Sequence, residues 1–201
     1  RTDFDELAEI GATMGGGVSR LALSNEDLEA RAWFANRIEE AGLLVRDDEV
    51  GNLSGILPSE RPNAKTVLIG SHLDTVPNGG HYDGTIGVLA GLECLRTIRE
   101  AGLQPPHHLE VINFTDEEGW WQSFFGSLGL TGALQGIQAN YERGDNGAFK
   151  AALFRAGILP TEVRRAARNP EDVVAFIELH IEQGRQLEHS AIDIGIVSTV
   201  V

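Results

Sequence analysis

The chain has 201 residues, with 16 Lys and Arg against 30 Asp and Glu, for a formal charge of −14. That acidity excludes a nucleic-acid partner, because no basic stripe offsets the repulsion from phosphate. A hydrophobic content of 42% beside 23% charged residues excludes disorder. The apolar runs are too short to cross a bilayer, and residues 1–10 carry four acids where a signal peptide needs an apolar stretch. A lone Cys94 leaves no internal disulfide and fits a reducing, cytoplasmic setting. The chain opens on Arg1, and its single methionine is Met14, so the reading expects a start inside a longer gene product.

In chain order, Ser24 followed by Asp27 predicts a helix start of the capping-box kind. Leu28, Ala32, Ala35 and Ile38 then recur at helical spacing until Ala41-Gly42. The acids Glu26, Asp27, Glu29, Glu39 and Glu40 are expected on its solvated face. Leu43–Arg46 and Asn52–Leu57 predict short strands, and the β-branched run Thr66–Gly70 predicts a buried one. A loop over Ser71–Tyr82 leads into a helix from about Gly84 to Ala101, expected to bury Ile86, Leu89, Leu92, Leu95 and Ile98. Cys94 is expected inside that apolar register as a small buried hydrophobe. Leu109–Phe114, Val173–Ile181 and Ile192–Val201 predict further strands. Strand, loop, helix and strand in this order predict an α/β fold, a mixed and mostly parallel sheet flanked by helices.

Three predicted strand ends carry the residues able to do chemistry. Ser71-His72-Leu73-Asp74 and Gly80-His81-Tyr82-Asp83-Gly84 follow the first, and Thr115-Asp116-Glu117-Glu118-Gly119 the second. Glu178-Leu179-His180-Ile181-Glu182-Gln183-Gly184 closes the third. Each has a plain alternative: His72 or His180 as a hydrogen-bonded core imidazole, the acids after Thr115 as the first turn of a helix. Together they put imidazoles and carboxylates at strand ends that open α/β sheets bring together, and those are zinc ligands. His81, His107, His108 and His189 are expected in loops or at the surface. Trp120 and Trp121 either line a pocket or pack beside one.

These ordered motifs, with Gly17-Val18-Ser19-Arg20-Leu21 upstream, resemble the N-carbamoyl-L-amino-acid hydrolase and allantoate amidohydrolase family. That family is the ureido-cleaving branch of the dinuclear-zinc aminoacylase and carboxypeptidase clan. The resemblance implies that His72 and His180 bind one metal, that Asp83 bridges both metals, and that Glu118 binds the second. It makes Glu117 the general base toward the bridging water, Asp74 the residue that fixes the tautomer of His72, and Gln183 a contact to the substrate's ureido group. It implies two divalent ions, zinc first, with manganese, cobalt or nickel as alternatives. It further implies a small carbamoyl substrate and a homodimeric full-length protein. A peptidase or aminoacylase of the same clan, or an inactive piece binding one metal, are the competing expectations.

Two departures stand out. The family's Glu-Glu-Gly is usually followed by a small residue and Arg-Phe, where this chain has Trp120-Trp121-Gln122. The family's further histidine on the second metal comes from much later in a longer chain. Residues 1–201 therefore read as the N-terminal portion of a catalytic domain, with the lid and dimerisation domain and the C-terminal portion absent.

Overall fold

The computed structural model of the chain describes residues 2–134 and 146–198. Its elements run α1 Thr2–Glu9, α2 Asn25–Glu40, β1 Leu44–Asp47, β2 Leu53–Leu57, β3 Thr66–His72, α3 Thr85–Glu100 and β4 His108–Phe114. They continue with α4 Phe125–Leu130, α5 Asn146–Arg155, β5 Val173–Ile177 and α6 Gln186–Ser190. The five strands form one mixed sheet in the order β1-β2-β4-β3-β5. β3 pairs in parallel with both β4 and β5, whereas β1 with β2 and β2 with β4 are antiparallel.

The period of two in the central strands sorts their side chains between two layers. Val111 and Ile69 face the larger core, where α1, α2 and α3 contribute Leu7, Phe34, Ile38, Val88, Leu92 and Leu95. Leu68 and Ile112 face the other way, toward Leu130 of α4. A separate cluster around Leu23, Val50, Phe125, Phe149 and Leu153 fastens α4 and α5 beside the sheet. Burying one such Phe or Leu contributes on the order of 2 kcal/mol, so these cores hold the sheet edge in place.

Arg20 ties the N-terminal segment to the sheet. Its buried guanidinium donates to the carbonyls of Leu7, Ile10 and Leu73, at 3.0, 3.1 and 3.0 Å. Burial pulls its pKa down to about 10, against the opposing pull of Asp27 and Asp74.

Several sequence expectations are corrected. The buried stripe of α2 is Asp27, Ala30, Phe34 and Ile38, while Ala32 is exposed and Leu28 and Ala35 are half-buried. Asp27 is not solvated: Ser24 caps its N–H at 3.2 Å, and its own carboxylate accepts the N–H of Leu23 at 2.8 Å. A polar cap and an Ala-Phe pair therefore set the buried face, which a hydrophobicity count alone shifts around the helix. In α3, Val88, Leu89, Leu92 and Leu95 are buried, but Ile86 and Ile98 only half so. Cys94 is exposed, because Leu95 rather than its neighbour takes the sheet-facing position.

The acids after Thr115 lie in a loop, since α4 starts only at Phe125. β5 stops at Ile177, short of the expected Ile181. Residues 192–198 form no strand, and positions 199–201 lie outside the described residues. The alternating isoleucines Ile192, Ile194 and Ile196 are all exposed, as are the residues between them. A strand needs a partner, and among the described residues none pairs with this segment.

Candidate functional site

The chain passes from β3 through α3 to β4 on one side of β3, and later returns as β5 on the other side. Strand order reverses at β3, and in open α/β sheets such a point opens a crevice beyond the carboxyl ends of the strands. His72 is the last residue of β3, Glu117 and Glu118 follow β4, and His180 follows β5.

Among the described residues, His72, Asp83 and His180 form one group whose ligand atoms all lie within 4.8 Å of one another. The nitrogens of both imidazoles are assigned by their neighbours. Nδ1 of His72 is 2.9 Å from the Asp74 carbonyl, and Nδ1 of His180 is 2.9 Å from the Ile181 carbonyl. A carbonyl only accepts, so each Nδ1 carries a proton and each Nε2 is the nitrogen turned toward the cluster. Nε2 of His180 faces Asp83 Oδ1 at 3.2 Å, and Nε2 of His72 faces Glu117 Oε2 at 3.4 Å. Acceptors converging in this way repel unless a proton or a cation lies among them. Two imidazoles and a carboxylate suit zinc-type ions, so the donor set fits a divalent metal.

The backbone permits this approach because position 84 is glycine. Gly84 has φ +64°, and a Cβ there would fall 2.4 Å from His72 Nε2. Only Gly takes that conformation freely and leaves the imidazole its space.

Glu118 lies outside the three-ligand group but within its field. Burial pushes its carboxyl up; His72 opposes the rise, and the charges of Asp83 and Glu117 add to it. Asp74 is buried behind the site, and its carboxylate oxygen is 3.7 Å from His72 Nδ1, farther than its own carbonyl. The carboxylate instead accepts the backbone N–H of Glu117 at 3.3 Å and of Glu118 at 3.2 Å. Burial, then the charges of Asp27 and Asp116, hold the Asp74 carboxyl well above the usual range. The Gln183 amide donates to both oxygens of Asp83, at 3.2 and 3.1 Å. It therefore reaches the expected site through a ligand side chain.

His81 is an exposed loop residue 2.9 Å from the Gly16 carbonyl. His108 accepts the N–H of Ser59 at 2.9 Å, far from this cluster, and His189 sits exposed on α6. Trp121 packs: its Nε1 donates to the Ala22 carbonyl at 2.8 Å, and its ring stacks on Phe149 with centroids 5.5 Å apart. Sequence reasoning passed over Asn113, whose Oδ1 accepts the N–H of Leu73 at 2.8 Å and holds the turn after His72. Asp116, expected only as one of the acids after Thr115, is fully buried. A polar residue at the last inward position of a strand was the available signal for Asn113.

Fold and site together define the class: the chain belongs to Peptidase family M20/M25/M40, which it matches over residues 68–200. Within that family it is 42% identical over 197 residues to the N-carbamoyl-L-amino acid amidohydrolase of Geobacillus stearothermophilus, covering 97% of this chain and 48% of that protein. It is 37% identical over 203 residues to the allantoate amidohydrolase of Bacillus subtilis strain 168, covering 99% of this chain and 49% of that protein. Its structure matches a hydantoinase/carbamoylase family amidase from Burkholderia ambifaria with a TM-score of 0.83 at 41% identity, over 94% of this chain and 46% of that one. The chain thus spans about half the length of the curated relatives it matches. Among the described residues no helix is long and apolar enough to cross a membrane.

Proposed function

We propose that this chain is part of a metal-dependent amidohydrolase that cleaves the ureido or carbamoyl C–N bond of an N-carbamoyl-amino-acid-like compound. The observation that carries the reading is the convergence of His72, Asp83 and His180, with Glu117 facing the same Nε2 as the ion would. The relatives' names supply the substrate class.

In this reading residues 1–201 are the N-terminal portion of the catalytic domain. The lid and dimerisation domain belong to the rest of a homodimeric, cytoplasmic protein. His72, Asp83 and His180 would hold one divalent ion, zinc first, and Glu118 with Asp83 would help to hold a second. Such ions, when bound, polarise the substrate carbonyl and lower the pKa of water. Glu117 takes the proton from the attacking water and delivers it to the departing nitrogen. Its side chain is 32% exposed, open enough to reach the crevice. One water consumed gives the free amine, carbon dioxide and ammonia. Asp74 holds Glu117 and Glu118 by their N–H groups, and Gln183 steadies Asp83 and contacts the ureido group.

The test is an assay of the gene product carrying this chain, with N-carbamoyl amino acids and allantoate in the presence of Zn²⁺ or Mn²⁺. Turnover is expected, and Glu117→Gln should lower kcat by about 100-fold or more. Turnover of acyl amino acids or dipeptides alone would assign the protein to peptidase chemistry instead. Full activity of Glu117→Gln would overturn the mechanism.

A further inference from the structure

Glu117 and Glu118 sit on a loop, and a loop alone cannot aim two carboxylates. The residue before them explains how this one does. Asp116 is 1% exposed and adopts φ +52°, a left-handed conformation that Asp tolerates better than most side chains. Its carboxylate turns back into the loop, where Oδ2 accepts the N–H of Trp121 at 3.0 Å and of Gln122 at 2.7 Å. Its carbonyl accepts the N–H of Phe125 at 3.3 Å, where α4 begins.

The far end of this closure is packed. Trp121 is anchored through Nε1 on Ala22 and by stacking on Phe149, within the cluster that also buries Phe125. Gly119 completes the loop: it has φ +75°, and a Cβ there would lie 2.2 Å from Ser123 Oγ. The other side is gripped by Asp74 through the N–H groups of Glu117 and Glu118. Thr115 N–H is held by Asn52 Oδ1 at 3.0 Å.

We propose that Asp116 is a positioning residue that couples the Glu117-Glu118 turn to the packed Trp121 indole and so sets the direction of both carboxylates. This rests on the roles given to Glu117 and Glu118 above. It also gives Trp121 a task, as the fixed point of the loop rather than a wall of the substrate pocket.

Two variants separate the carboxylate from the backbone. Asp116→Gly keeps access to positive φ but removes the acceptor, and Asp116→Asn keeps both the conformation and one acceptor oxygen. Each is titrated with Co²⁺ in the 201-residue chain, following the visible absorption of the ion, with Glu118→Gln as the reference. Each is also assayed for turnover in the gene product that carries the chain. The expected result is a changed spectrum of the second, weakly held Co²⁺, added in excess, in Asp116→Gly, resembling that of Glu118→Gln. The affinity of the first ion should stay within about threefold and its spectrum unchanged. Turnover should show kcat lowered about tenfold or more with KM within about twofold, and Asp116→Asn should recover part of it.

A spectral change with no turnover by the wild type would retain the proposal while removing the amidohydrolase reading. Unchanged spectra and kcat in both variants would overturn it. So would a loss of first-ion affinity, thermal stability and kcat together in both, since that is the signature of general fold support.

Discussion

Gly84 lies against the imidazole of His72 so closely that a single methyl group at position 84 would meet Nε2, Cδ2 and Cε1 at 2.4 to 2.5 Å. The glycine belongs to the segment that delivers Asp83, so one residue both turns the chain and keeps the ligand nitrogen accessible.

Gly84→Ala should therefore damage the site before it damages the fold. At φ +64° and ψ −44°, outside even the left-handed helical region, a residue with a Cβ is strained by at least about 1–2 kcal/mol, and the imidazole must also move. Zinc affinity should fall by about tenfold or more while the chain stays folded. Isothermal titration with Zn²⁺, paired with circular dichroism, checks this. Wild-type affinity in the variant would show that the contact is not restrictive.

Arg20 is a structural clamp, and its loss should be felt as stability. Arg20→Met keeps much of the volume but strips the buried Leu73 carbonyl and the half-buried Ile10 carbonyl of the guanidinium donor, and leaves the Leu7 carbonyl only the N–H of Ile10. A cost of about 3 kcal/mol is expected, from unsatisfied buried groups. Urea unfolding of the two chains measures it, and a difference below about 1 kcal/mol would contradict the assignment.

Asp27 supplies a pH dependence. Burial raises its carboxyl above the ordinary 3.8, against the opposing pull of Arg31, the Leu23 N–H and Arg20. A raised carboxyl is most comfortable protonated, so its contribution to stability declines as pH rises above that ordinary value. Asp27→Asn keeps an acceptor for Leu23 without the charge. The stability difference between variant and wild type should move in the variant's favour between pH 4 and pH 8. Movement the other way would mean that the ionised form is the one the fold prefers.

The ordering of the site was legible because it depends on strand ends. The β-branched run of β3 and the apolar run of β4 mark where each strand stops, and the chemistry sits at or just beyond those ends. His72 and His180 meet at those strand ends, and Asp83, implied as a ligand by the family resemblance, joins them from the loop before α3. The face of α2 was less legible, since Trp33-Phe34 offers two apolar neighbours and the buried polar Asp27 carries no hydrophobic signal. Cys94 was misplaced for a related reason: apolar register alone does not say which of two adjacent positions faces a sheet. The hold of Asp74 on the N–H groups of Glu117 and Glu118 had no local pattern at all, because its partners are brought together only by β3 pairing with β4. The alternation from Ile192 onward predicts a strand, but a strand is completed by a neighbour that no local pattern supplies.

The central claim is that His72, Asp83 and His180 hold one divalent ion. Equilibrium dialysis of the 201-residue chain against Zn²⁺, read by elemental analysis, tests it directly. One tightly bound ion per chain is expected, reduced by about 100-fold in affinity when either His72 or His180 is changed to Ala. Two tightly bound ions, none, or one that survives both substitutions would contradict the account.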